Sequence, residues 1–138
     1  MFGSRKEQRP QKRIDSLIGV GTVIEGNIHF TGGLRIDGHV KGNVSAAVEQ
    51  SATLVVSEQA RVDGEIRVSH VVVNGTVNGP IFANDFLELQ NKAKVTGNIH
   101  YKTLEMRLGA TVQGQLLPLS SPEASSVVEL KRSVAAPS

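Results

Sequence analysis

The chain has 138 residues, a formal net charge of +2, 39% hydrophobic and 4% aromatic residues, and neither cysteine nor tryptophan. That leaves room for one domain, rules out a disulfide framework or a cysteine-bound metal centre, and disfavours a core built on aromatic anchors. No run of about 18 apolar residues occurs and no signal-peptide core follows the first basic residues, so the sequence predicts neither a membrane span nor secretion; the absence of cysteine suits the cytosol.

Residues 1–13 hold five Lys/Arg and one Glu in a polar stretch, and read as a disordered basic tail. Met1 and Phe2 form a small apolar wedge ahead of Arg5, Lys6, Arg9, Lys12 and Arg13. Each basic residue near an anionic lipid surface contributes about 1 kcal/mol, and burying a Phe roughly 1.5–3 kcal/mol. Met1, Phe2, Arg5 and Lys6 are therefore candidate membrane-binding residues, though the same segment also reads as a solubilising tail. Gly3 does not directly follow the initiator Met, so N-myristoylation is not expected.

Residues 14–117 carry a repeat. Apolar-x-Gly-x-apolar occurs around Gly26, Gly42, Gly64, Gly79, Gly97 and Gly114, at intervals of 16, 22, 15, 18 and 17 residues. Such self-similarity predicts one strand motif stacked on itself, a solenoid of about six rungs. A second ladder of apolar pairs at strand spacing accompanies it: Leu34/Ile36, Leu54/Val56, Val71/Val73, Leu87/Leu89 and Leu104/Met106. Each pair starts 7 or 8 residues after its glycine, except for an offset of 12 after Gly42, which places an insertion near Ala46–Ser51. Ala60-Val62, Ala110-Val112 and Ile36-Gly38-Val40 hint at a third, shorter face. In Arg61–Val68 the alternation points Val62, Gly64, Ile66 and Val68 inward and Asp63, Glu65 and Arg67 to water. A glycine there suits a wall that turns sharply. Pro80 resists the pattern, because it would remove a rung-to-rung hydrogen bond unless a corner or bulge absorbs it.

A coil of parallel strands has no edges along its flanks, but each end exposes a rung of unpaired backbone groups and an open core. Neither end shows a helical cap: the chain enters through Ile14-Asp15-Ser16-Leu17-Ile18-Gly19-Val20 and leaves at Leu116-Leu117-Pro118-Leu119. Ile18, Val20, Leu116 and Leu117 are the candidate self-assembly residues. The same four also suit outer core rungs covered by the tails. Residues 118–138 are rich in Ser, Pro and Ala and read as a second disordered tail.

Catalytic constellations are missing from the pattern. His29, His39, His70 and His100 are scattered, and the first, second and last fall on outward positions. Asp37, Asp63 and Asp85 are outward singletons, and no Walker lysine or nucleophile elbow is present. The chain is expected to be no enzyme, with no metal site and no cofactor. The repeat carries eight basic and ten acidic residues, which argues against a nucleic-acid groove.

The phased Val-x-Gly-x-Ile copies, the coil of about 100 residues, the Met-Phe-plus-basic start and the Pro/Ser-containing tails together resemble a bactofilin. The resemblance implies a single right-handed parallel β-helix over residues 14–117 between two tails. It also implies a cytoskeletal protein that polymerises end to end, without nucleotide, into non-polar filaments. Partners would be further copies of the chain, the inner face of the cytoplasmic membrane, and peptidoglycan-modifying or other cell-envelope proteins that it positions. Two other readings are a rod-shaped scaffold that does not polymerise and a left-handed hexapeptide-repeat acyltransferase. The second demands a strict six-residue period that the intervals do not keep.

Overall fold

A computed structural model describes residues 14–47 and 51–119. Among them there is no helix. The strands are β1 (Ser16–Ile18), β2 (Val23–Glu25), β3 (Ile28–Phe30), β4 (Gly33–Ile36), β5 (His39–Lys41), β6 (Val44–Ala46), β7 (Thr53–Val56), β8 (Arg61–Asp63), β9 (Ile66–Val73), β10 (Thr76–Asn78), β11 (Ile81–Leu89), β12 (Lys94–Thr96), β13 (Ile99–Met106), β14 (Thr111–Gln113) and β15 (Leu116–Pro118). All pair in parallel with strands one turn before or after them, as the repeat predicts. The result is a β-solenoid of about six turns.

The coil has three walls. The first stacks β2, β5, β8, β10, β12 and β14. The second begins with β3 and β6, and the third with β1, β4 and β7. Long β9 joins the two, since its first residues pair with β6 and its last four with β7. In β11 and β13 the chain likewise serves both walls, and β15 closes the second.

Inward columns follow the aliphatic ladders of the sequence. Ile24, Val40, Val62, Val77, Val95 and Val112 stack on the first wall. The predicted pairs stack on the third: Leu34, Leu54, Val71, Leu87 and Leu104 in one column, Ile36, Val56, Val73, Leu89 and Met106 in the next. Branched side chains pack well on a pleated surface, so Val and Ile dominate this narrow dry interior. The offset of 12 has its origin between β6 and β7, where the chain takes six residues to cross a corner that takes two between β3 and β4. An extra residue at Asn84/Asp85 in β11, together with a turn of four residues after β11 where β9 is followed by two, accounts for the interval of 18 against 15.

The repeating glycines mark the corner between the first and second walls, so each Val-x-Gly-x-Ile copy straddles two strands instead of lying in one. This changes the reading of the glycine itself. A Cβ on Gly97 would stand 2.6 Å from the carbonyl oxygen of Gly79, and on Gly42, Gly64, Gly79 and Gly114 it would lie closer still to the glycine carbonyl one rung earlier. The missing side chain therefore leaves room for the preceding rung and not for the core. The backbone agrees, with φ at +138° for Gly97 and +156° for Gly64, a region that side chains rarely enter.

Pro80 follows one of these glycines, and the corner explains it. At each corner the glycine N–H and the N–H two residues on donate to the next rung, as Gly64 does to Asn78 and Ile66 to Pro80. The residue between them makes no such bond. Its N–H donates instead to an asparagine one rung before: Asn43 to Asn27 Oδ1 at 2.9 Å, Glu65 to Asn43 Oδ1 at 2.9 Å and Gln115 to Asn98 Oδ1 at 3.1 Å. Pro80 occupies this intermediate position, so it interrupts no backbone ladder, whereas the sequence pattern alone suggested a lost bond. Gly97→Ala is expected to lower stability by roughly 2–4 kcal/mol through strain and overpacking. Pro80→Ala should cost no more than about 0.4–1 kcal/mol, from unfolded-chain entropy. Denaturant unfolding of the two variants checks the contrast.

Candidate assembly surfaces

The inward columns are fully buried in mid-coil and open at both ends. Ile18, Ile24 and Ile28 are half-buried, whereas their neighbours one rung on, Ile36, Val40 and Val44, are covered completely. At the other end Leu104, Val112 and Leu116 are half-buried. The backbone repeats this: β1, β2 and β3 pair only with β4, β5 and β6, and β14 and β15 only with β12 and β13. Each rim thus presents one row of ladder groups with no partner strand among the described residues.

Around these open cores the rims carry exposed apolar side chains. At the N-terminal rim Leu17, Val20 and Val23 are 61%, 69% and 53% exposed. At the C-terminal rim Leu108 is 95% exposed, and Met106 and Leu119 are also exposed. Ile18 and Val20 lie together at one end, and Leu116 and Leu117 together at the other. Ile18 and Leu116 point into the coil, Val20 sits in a turn, and Leu117 lies on the outer column of the second wall beside His100. Leu17, Val23 and Leu108 were not read from the sequence. The signal for Leu108 is there, however. It occupies the turn position of Val20, Glu58 and Asn91, identified by the bonds Thr22 to Gly19, Ala60 to Ser57, Ala93 to Gln90 and Ala110 to Arg107. That position is polar in mid-coil and apolar at each end. Met1, Phe2, Arg5 and Lys6 lie outside the described residues.

The outer surface of the first wall is mostly polar. On the first wall Asp63 gathers three partners: His39 Nε2 lies 2.7 Å from Oδ2, Arg61 Nε lies 3.1 Å from it, and Asn78 Nδ2 donates to Oδ1 at 2.8 Å. Asn78 and then His39 hold the Asp63 carboxyl down at about 2, below its ordinary 3.8. Asp37 is likewise lowered, mainly by the Ser57 hydroxyl. Both are single carboxylates tied to neighbouring rungs, not an acid pair for bond cleavage. On the second wall His29, Ser45, Arg67, Phe82, His100 and Leu117 form one outer column. His29 and His100 are thus in register, four rungs apart. The Arg67 guanidinium lies 4.0 Å from the Phe82 ring centroid, and Phe82 stacks on His100 at 4.2 Å. Tyr101 packs against the core. Among the described residues no group of three potential metal ligands converges.

Among the described residues the tube is closed along its flanks and carries exposed apolar side chains at both ends. The family model described as bactofilin, polymer-forming cytoskeletal, matches residues 16–117. The chain belongs to the bactofilin family. It is 31% identical over 110 residues to bactofilin BacO of Myxococcus xanthus (strain DK1622), a match covering 80% of this chain and 84% of that protein. It is 25% identical over 116 residues to bactofilin BacP of the same organism, covering 83% of this chain and 47% of BacP, so it spans about half of that relative's length. No solved structure matches the chain significantly. Membership makes the chain a polymer-forming cytoskeletal protein, a structural class and not a catalytic one.

The Asp63 cluster generates a pH prediction. A carboxyl whose folded pKa is depressed contributes stability above about pH 4, and that stability is lost as pH falls toward about 2. The melting temperature of the bactofilin should therefore fall across this window, and Asp63→Asn should flatten the fall while lowering the plateau at neutral pH. Thermal melts between pH 2 and 7 check both.

Proposed function

We propose that the chain assembles end to end, without nucleotide, into non-polar filaments that lie at the inner face of the cytoplasmic membrane and position cell-envelope or cell-shape machinery. The observation that carries the reading is the pair of rims that no described residue covers, with half-buried aliphatic cores and exposed Leu and Val around them. Docking two rims pairs the free ladder groups and removes those side chains from water, at about 25 cal/mol per Å² of apolar area. Val20 and Leu108 are the contacts most available to a second copy, with Ile18, Leu116 and Leu117 beneath and beside them. Each rim centres on an apolar core, so it can cover its own kind across a two-fold axis, and like-to-like joints at both ends give a filament without direction. Nothing in such a joint calls for a phosphate-binding loop. The basic segment with Phe2 supplies the membrane contact, weak for one copy and strong for a row of tails acting together.

Val20→Arg should leave two-copy particles joined through the C-terminal rim, and Leu108→Arg two-copy particles joined through the other. Val20→Arg with Leu108→Arg should give single rods whose stability stays within about 0.5 kcal/mol of the parent, since both sites are at the surface. Light scattering and negative-stain microscopy without nucleotide read the result. If either single change yields only single rods, the filament has a direction and the like-to-like arrangement is wrong. Removing residues 1–8 should abolish co-sedimentation with anionic vesicles while filaments persist; undiminished sedimentation would dismiss the anchor.

A further inference from the structure

The outer face of the third wall differs from the other two. Its middle column, in rung order, is Leu17, Arg35, Val55, Val72, Glu88 and Glu105. Beside it run Gly33, Thr53, His70, Phe86 and Thr103. Two valines stand at the centre, a cation towards one end and two carboxylates towards the other, with no charged residue between. The first wall has His39, Arg61, Asp63 and Asn78 bonded to one another at mid-coil, and the outer column of the second holds one arginine and no carboxylate.

We propose that two rods of this chain pair side by side through the third wall, antiparallel, about a two-fold axis parallel to the strands. That operation sets Val55 of one copy over Val72 of the other and Arg35 over Glu88, on both sides of the axis. The alternative two-fold, along the rod, places Arg35 over Arg35 and Glu88 over Glu88 and is opposed by like charge. Within one copy Arg35 Nε bonds Asp37 at 3.0 Å, and Arg107 and Gln90 bond Glu88 at 3.1 and 3.2 Å. In the antiparallel pair these become alternating networks across the joint instead of isolated surface pairs.

The face is small. Six rungs of strands three or four residues long offer roughly 400 Å² per copy, below the area of a stable two-protein interface. One rod therefore pairs weakly, and a row of rods firmly, because each joint after the first forms at high effective concentration. In this respect the proposal rests on the end-to-end reading.

Two measurements on the full chain test it. Arg35→Lys keeps the charge and supplies an amine, and a carbodiimide then forms a zero-length amide with any touching carboxylate. Within one copy positions 35 and 88 are three rungs apart, about 14 Å, so an amide between them found by peptide mass spectrometry must join two copies. Microscopy is the second readout: Arg35→Glu alone should abolish paired filaments and leave single ones, and adding Glu88→Arg should restore the pairs. Absence of the 35–88 amide, pairs that persist in Arg35→Glu, or failure of the double change to restore them would overturn the assignment. If the amide forms but no filament of any width is seen, the lateral face stands and the end-to-end reading falls. If single filaments form without the amide, the reverse holds.

Discussion

The corner at which each glycine faces the carbonyl of the glycine one turn before is the constraint on which the rest of the structure depends. Parallel strands bond across a fixed spacing, and a chain that turns between walls must do so without pushing successive rungs apart. A methyl group at Gly97, standing 2.6 Å from the Gly79 oxygen, would lift the fifth rung off the fourth at that point. The lift would break the flanking bonds, Gly79 to Thr96 and Ile81 to Asn98, before any core contact changed. Glycine is thus selected by the axial direction of the rod. The aliphatic columns are selected by its radial direction. The two requirements act on alternate atoms of the same short stretch, which is why the motif is so compact.

The same separation explains what was legible in the sequence. Radial information is local: alternation marks Leu54 and Val56 as inward without knowledge of any other rung, and all five predicted pairs fell on one wall. Axial information needs register, and register needs loop lengths. Until the longer crossing after β6 and the extra residue in β11 are placed, residues on neighbouring rungs have no known partners. For this reason the asparagine bonds at the corner, the His39–Asp63 contact and the Arg67–Phe82–His100 stack escaped a reading of spacing alone. Pro80 escaped for a related reason. Its tolerance depends on which N–H groups the ladder uses, and the alternation pattern treats every residue of a strand alike.

Rim residues were half-visible. Ile18 and Leu116 are inward in phase and first or last in the series, so counting rungs suffices to find them. Leu108 and Val20 become informative only when four turns from different rungs are superposed and the two apolar members prove to be the terminal ones. Mid-coil, Glu58 at that turn position forms an ion pair at 3.4 Å with Lys92, two rungs on. A terminal rung has described neighbours on one side only.

Polymerisation then changes the meaning of every weak outer contact. A short rod with a flank of a few hundred Å² binds nothing durably, because the entropy of association exceeds what so small a face returns. In the end-to-end filament proposed above, rods would present their flanks at a fixed interval, and a partner with the same repeat, whether a second filament or a membrane meeting a row of basic segments, would bind with the product of many small terms. The sides of the coil therefore have no need of large apolar patches, which would aggregate single copies in solution. Their modest polarity accords with the proposal that the strength is placed at the ends.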